Sequence, residues 1–201
     1  MAWAKLDSKT LTSAGDTATT DVITTPSKFI FIIQHGLQGS GNRTQISNRF
    51  GKTTIDGGNN YSGRGSTNGG GDITLTSYNN LALENTVAGD KFGINYLINI
   101  STEEKLIIVF NVIQTTAGAA YAPSRVEAVG KWVNTSNQLD LVQLYNENAA
   151  NSDYDVGSNL SVLGGDVTIS GGIQNGLEFH ETDTNKDYVF NSSNNTWYQI
   201  A

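Results

Sequence analysis

Strand-forming segments follow one another along almost all of the 201 residues, and no stretch carries the 3.6-residue period of a helix longer than two turns. Residues 91–100 alternate clearly, with Phe92, Ile94 and Tyr96 on one side of the segment. This alternation predicts a half-buried strand whose apolar side faces a core. Residues 28–34 and 106–113 are nearly continuous apolar runs, and such runs predict central strands.

Clusters of Gly, Asn, Ser and Thr separate these segments from five further strand candidates, residues 45–50, 73–77, 126–134, 138–145 and 159–163. Many short strands at regular spacing, with no helices between them, are typical of sandwiches and barrels. The sequence therefore predicts an all-β fold, an antiparallel two-sheet sandwich that is jelly-roll-like. We expect this domain to occupy residues 1–165.

Residues 166–201 have the pattern of a separate small unit. Three strand candidates, residues 177–182, 187–191 and 196–201, are joined by short polar connections typical of hairpins. This pattern predicts a C-terminal three-stranded β-meander. A meander of about 25 residues is marginally stable alone, so we expect its aromatic side chains to pack on the sandwich or on other copies of the chain. The candidates for oligomer contacts are Phe179, Tyr188 and Trp197.

The formal net charge of the chain is -7, and it contains no cysteine. An acidic chain lacks the clustered Lys and Arg that bind phosphate backbones, so nucleic acid is not an expected partner. Without cysteine, neither a thiolate metal site nor a cysteine nucleophile can form. No apolar run approaches the roughly 18 residues that cross a bilayer, and the first residues lack the pattern of a secretory signal. We therefore expect a soluble protein that is made in a cytoplasm and does not insert into membranes.

Sequence patterns for catalysis or metal binding are weak. The two histidines, His35 and His180, are far apart and lie in no nucleophile or zinc motif. Residues 183–187 alternate oxygen ligands like a calcium loop, but Tyr188 stands where the turn glycine belongs, so a tight turn is the favoured interpretation. The sequence predicts no enzymatic activity, no metal and no cofactor. A glycosidase needs two carboxylates at a defined separation, which the sequence does not establish. The candidates for such a pair are Glu147, Asp153 and Asp155.

Residues 57–71 form a glycine-rich stretch without a strand pattern, which predicts a long loop. Such loops often carry recognition sites, and residues 115–125 are a second stretch of this kind. A tyrosine ring offers a stacking face and an arginine a planar donor to a sugar or a partner protein. The alternative is an ordinary flexible loop, or one that a neighbouring subunit orders. The candidates for partner or glycan binding are Tyr61, Arg64, Asn68, Tyr121 and Arg125.

Short motifs along most of the chain point to a family. They lie in residues 3–16, 96–106, 116–125, 130–136, 157–164 and 181–197, and include Thr116-Ala117-Gly118 and Gly130-Lys131-Trp132. These motifs resemble β-rich virion structural proteins of marine tailed bacteriophages, of the head-decoration or tail-fibre type. The resemblance implies a subunit assembled in many copies on the head or tail, with no catalytic residues to carry over.

We therefore expect a non-enzymatic structural protein on the exterior of a tailed phage particle, synthesised in the host cytoplasm. It would be an oligomeric capsid-decorating (cement) protein or a compact fibre or spike subunit. The expected partners are other copies of the chain, with a homotrimer as the first choice, and other virion proteins. The alternative is a receptor- or carbohydrate-binding adsorption protein that contacts a host-surface glycan. A polysaccharide-degrading tail enzyme is the third choice.

Overall fold

The computed structural model describes residues 3–41, 45–83, 88–148, 152–165, 176, 178–181, 184–191 and 196–200. The chain divides into two compact units, Met1–Gly165 and Asp166–Ala201. The described residues form strands, turns and bends, and they contain no helix. Their strands are β1 (Ala4–Thr10), β2 (Thr17–Thr19), β3 (Phe29–Gly36), β4 (Gln38–Gly41), β5 (Ser47–Lys52), β6 (Thr54–Ile55), β7 (Tyr61–Thr67), β8 (Ile73–Tyr78), β9 (Asp90–Ile98), β10 (Lys105–Gln114), β11 (Ser124–Trp132), β12 (Leu141–Tyr145), β13 (Ser152–Tyr154), β14 (Asn159–Gly164), β15 (Glu178–Glu181), β16 (Lys186–Asn191) and β17 (Thr196–Gln199).

Eight strands of the first unit form one antiparallel sheet, the large sheet, in the order β1-β14-β3-β9-β10-β11-β7-β8. The two apolar runs of the sequence become β3 and β10, the third and fifth strands in this order, with β9 between them. The prediction that these runs are central strands is confirmed.

Four further strands form the small sheet, in the order β2-β12-β5-β6, and β4 pairs with β13 in a two-stranded ribbon. The small sheet shares one hydrophobic core with the large sheet. Phe50 of β5 shows the contact, because its ring centroid lies 6.2 Å from the Tyr61 ring on β7 and 6.2 Å from the Trp132 ring on β11. The predicted antiparallel two-sheet sandwich is therefore confirmed, with sheets of eight and four strands.

Glycines on β7 and β11 make room for the chain segment that follows β8. Gly63 pairs with Gly130 across the two strands. A Cβ atom on Gly63 would lie 2.7 Å from Leu83 Cδ2, and one on Gly130 would lie 2.7 Å from Leu81 Cδ2. Both leucines are buried. The expectation of a loop throughout residues 57–71 is wrong, because β7 occupies the middle of this range. Its glycines pack against leucine side chains, so the strand lacks the usual alternation of apolar residues.

The second unit is an antiparallel meander in the order β15-β16-β17, as the sequence predicts. Phe190 of β16 is buried, and its ring centroid lies 5.1 Å from the Trp197 ring on β17. These two aromatic side chains therefore pack on each other across neighbouring strands of the meander.

Candidate functional site

The outer face of the large sheet is covered with apolar side chains. Residues alternate between the two faces of a strand, and on β3, β9 and β10 the set that is not in the core is mostly apolar. Inward residues such as Ile32 and Ile107 lie in the core, which leaves the other set on the outside. We call this outward set, with Trp3 and Val129 at its margins, the apolar face. It consists of Trp3, Phe29, Phe31, Ile33, Phe92, Ile94, Tyr96, Ile98, Leu106, Ile108, Phe110, Val112 and Val129.

Much of the apolar face is open to solvent. Eight of its side chains are between 40% and 59% exposed, namely Trp3, Phe92, Tyr96, Leu106, Ile108, Phe110, Val112 and Val129. Neighbouring strands place Phe31, Tyr96, Ile108 and Val129 side by side in one row. The rings of Phe31 and Tyr96 are stacked at 4.6 Å, and the Trp3 ring lies 5.6 Å from Phe31. The face is thus a continuous patch with a preformed aromatic cluster at one side.

The orientation of β9 is the reverse of the sequence prediction. Phe92 and Tyr96 point outward, whereas Lys91 and Asn95, each 1% exposed, point into the sandwich. Alternation identifies two sides of a strand but not the side that is covered. The prediction that Phe92, Ile94 and Tyr96 face the core is therefore wrong.

Hydrogen bonds between buried amide side chains accommodate Asn95 on the inward side of β9. Asn48 of β5 lies at the centre, where its Nδ2 donates to Gln34 Oε1 at 2.9 Å and its Oδ1 accepts from Asn95 Nδ2 at 2.7 Å. Gly93 leaves space for this layer, because a Cβ there would lie 2.4 Å from Asn111 Oδ1. Burying a polar group costs less when it is paired, as Asn95 Nδ2 is, whereas Asn95 Oδ1 is buried with no hydrogen-bond partner among the described residues.

Charges of both signs border the apolar face along β11 and its neighbours. Lys131 Nζ lies 2.7 Å from Glu104 Oε2, Arg125 Nε lies 3.7 Å from Glu127 Oε1, and Arg64 lies 3.5 Å from Asp72. This charged margin contains three basic and three acidic residues, so it has no excess of either sign. A hollow of about 920 Å³ opens at the end of the face nearest Lys131, with Trp3, Leu75 and Leu106 among its lining residues.

The predicted binding candidates do not form one site. Tyr61 is 1% exposed, and its hydroxyl accepts from Phe50 N at 2.9 Å and donates to Asp56 O at 2.8 Å. Burial raises the pKa of this hydroxyl. The prediction that Tyr61 offers a stacking face is wrong, because the ring belongs to the core. Arg64 is exposed on β7, in the charged margin.

The structure brings two of the other candidates together. Asn68 Oδ1 accepts from Arg125 N at 2.9 Å, and Asn68 N donates to Arg125 O at 3.0 Å. Asn68 has a φ of 54°, in the left-handed region that Asn tolerates at turns. Tyr121 lies in the connection between β10 and β11 and is 59% exposed. The role of these three residues in binding stays a prediction.

Carboxylates in the first unit are held by structural contacts. The pKa of Tyr78 is raised to about 12. The short hydrogen bond from Tyr78 to Glu147 is the larger cause, and burial is the second. Burial and the nearby charge of Asp153 raise the pKa of Asp16. Asp155 accepts from Val156 N at 2.8 Å. Two of the carboxylates that the sequence singles out, Glu147 and Asp153, thus lie beside another titratable side chain, and the absence of enzymatic activity stays a prediction.

The two histidines lie in different units, and the calcium-like turn lies in the same unit as His180. His35 is on β3 in the first unit, whereas His180 Nδ1 lies 2.6 Å from Asp187 Oδ1 in the meander. Asp183 lies outside the described residues. Among the described residues, no group of three His, Cys, Asp or Glu side chains is arranged to hold a metal ion.

The three predicted oligomer contacts belong to the meander. Phe179 pairs with Tyr188 in the β15–β16 ladder, and its side chain lies outside the description. Tyr188 is half-buried, and Trp197 packs on Phe190 within the same unit. Their contact with other copies stays a prediction.

The sequence analysis did not identify the apolar face. The signal that could have revealed it is the pair of continuous apolar runs, because such strands need cover on both faces of a sheet.

The fold and the site define an all-β sandwich protein with an open apolar sheet face. Comparisons with protein-family models, with curated proteins and with solved structures found no match. In the described part of the chain, no helix is long and apolar enough to span a membrane.

Proposed function

We propose that this chain is a non-enzymatic structural subunit of the exterior of a tailed phage particle, and that it works by packing against other protein surfaces. The observation that carries the proposal is the apolar face, with eight side chains 40% to 59% exposed. The particle itself is suggested by the resemblance of the sequence motifs to phage structural proteins.

The size of the apolar face supports an assembly role. Monomeric soluble proteins rarely expose a contiguous apolar patch of more than a few hundred Å². Eight large side chains that each leave roughly 100 Å² exposed amount to about 800 Å². A surface of this extent in water favours association, because burying it releases water from apolar atoms. The chain would therefore be a homo-oligomer or a partner of other virion proteins.

Cryo-electron microscopy of particles that carry this chain tests the proposal. We expect copies at symmetric positions on the outside of the particle, with the apolar face buried in a protein contact. Copies over the shell would make the chain a decoration protein, and copies at the tail would make it a fibre or spike subunit. Absence of the chain from purified particles would contradict the proposal.

A second candidate function is glycan binding during adsorption to a host. The observation in its favour is the exposure of Tyr121, which is 59% exposed. Tyr121 lies in the connection between β10 and β11, shortly before Arg125, which is hydrogen-bonded to Asn68. A glycan array with the full chain would test it, with Tyr121→Ala as the variant and Tyr198→Ala, an exposed tyrosine of the meander, as the control. Saturable binding that Tyr121→Ala alone removes would favour adsorption, and no binding would remove this candidate.

A further inference from the structure

We infer that the apolar face is the contact between two copies of this chain, packed face to face about a twofold axis. The inference rests on the proposed function, because it names the partner that covers the same surface. The pair would be four sheets deep, with two large sheets in the middle and a small sheet at each end. Packed sheets of this kind lie about 10 Å apart, with strands about 30° from parallel.

The area of the apolar face matches what a stable pair needs. A standard specific interface buries about 800 Å² on each partner, which is the amount that the eight exposed side chains offer. An isologous contact uses the same patch on both copies, so one second copy can cover the whole apolar face. A threefold arrangement would divide the face between two neighbours.

The aromatic cluster supplies the anchors that such a contact requires. Large aromatic side chains are enriched among the residues that contribute most of the binding energy of an interface. The Phe31–Tyr96 stack and the adjacent Trp3 are already in contact within one copy. Little side-chain freedom is lost when they are buried, which favours association.

The charges around the face favour a second copy over a strongly charged partner. The chain carries a net charge of -7, so two copies repel each other at long range. The charged margin pairs Lys131 with Glu104, Arg125 with Glu127 and Arg64 with Asp72. Because this border is neutral, it adds no local repulsion when it meets its own copy. A basic or acidic partner would instead require a border of one sign.

Cross-linking tests the geometry directly, because the chain has no cysteine of its own. Ile108→Cys and Phe110→Cys place single thiols in the middle of the face, where a residue near a twofold axis meets its own copy. The separation of about 10 Å between packed sheets is too long for a disulfide, so a bismaleimide of similar reach is the reagent. We expect covalent pairs from at least one of these variants. The control is Thr17→Cys, exposed on the small sheet.

A charge in the face tests the same contact by mass. Phe110→Glu in the full chain should reduce the mass in solution to that of one copy, 21.5 kDa, whereas Thr17→Glu should leave the pair intact. Phe110 is 44% exposed, so the core is not altered, and circular dichroism with a thermal melt verifies the fold. Val112→Lys is a second variant with the same expected result.

The outcomes separate this inference from the proposed function. A native chain of one copy, a trimer, or cross-linking no greater than that of Thr17→Cys would overturn the twofold contact. A single copy that carries a bound lipid in native mass spectrometry would identify a small apolar ligand as the occupant and would also overturn it. A single copy in solution that is found on particles leaves the proposed function intact. A pair in solution, together with absence of the chain from particles, would support the twofold contact and contradict the proposed function.

Discussion

Asp56 ties a surface turn to the edge of the core. Its carboxylate accepts hydrogen bonds from Trp132 Nε1 at 2.8 Å, from Asn60 Nδ2 at 2.9 Å and from Gly58 N at 2.8 Å. Burial favours the neutral acid, but these three donors outweigh it and lower the pKa of Asp56. The bond to Trp132 matters most for the fold, because that indole packs against Phe50 of the small sheet.

Removing this carboxylate should destabilise the sandwich. Asp56→Ala leaves the buried Trp132 without its acceptor, and the expected loss is about 2 kcal/mol in the free energy of unfolding at pH 7. Urea unfolding followed by tryptophan fluorescence measures it. Asp72→Ala, in an exposed ion pair with Arg64, is the matched control and should cost less than about 0.5 kcal/mol.

The contribution of Asp56 should also depend on pH. Because the folded-state pKa is lowered, the contribution is complete above the unfolded value of about 3.9 and is lost as the pH falls through the folded-state value. The stability difference between the native chain and Asp56→Ala should therefore shrink in acid. An equal difference at pH 7 and at pH 2 would mean that the charge on Asp56 does not hold the turn.

Long-range pairs of this kind were beyond reach of the sequence. Asp56 and Trp132 are 76 residues apart, and Asn68 and Arg125 are 57 apart. Sequence spacing does not reveal which turns meet at one end of a sheet. Arg64 and Asn68 could be proposed as surface residues, but the same reasoning placed Tyr61 on the surface because its strand partner, β11, was unknown.

At the scale of the strands, the sequence was informative where apolar runs are long. β3 and β10 were predicted as central strands because nearly every position is apolar. The sequence of β7, YSGRGST, lacks a clear strand pattern because two of its inward positions, Gly63 and Gly65, are glycines that make room for a leucine segment. The face of β9 was assigned wrongly because the covering of a face depends on the buried amide layer, which forms only when β5 is in place.

The glycines of β7 give an element-scale prediction. Gly63→Ala should destabilise the sandwich by about 1–3 kcal/mol, because the new methyl group meets Leu83 Cδ2 at 2.7 Å and Val129 O at 2.9 Å. Thermal unfolding measures the effect. Gly57→Ala is the control, since no atom lies within 4 Å of its added Cβ, and it should be nearly neutral. Equal stability of the two variants would contradict the packing of the leucine segment on β7.

At the scale of the whole molecule, association should strengthen with salt. Each copy carries a net charge of -7, and screening weakens the repulsion between copies while leaving apolar burial intact. We expect the dissociation constant of the pair to decrease when the NaCl concentration is raised from about 0.05 M to about 0.5 M. Sedimentation at several salt concentrations measures it. Dissociation by salt would instead mean that ion pairs of the charged margin carry the contact.

The mass of the native chain in solution shows most directly whether a second copy buries the apolar face. Sedimentation equilibrium over a dilution series is the measurement, with one copy having a mass of 21.5 kDa. We expect a species of twice that mass, which dissociates to single copies on dilution. A mass of 21.5 kDa at every concentration would contradict it, because the apolar face would then remain open to water.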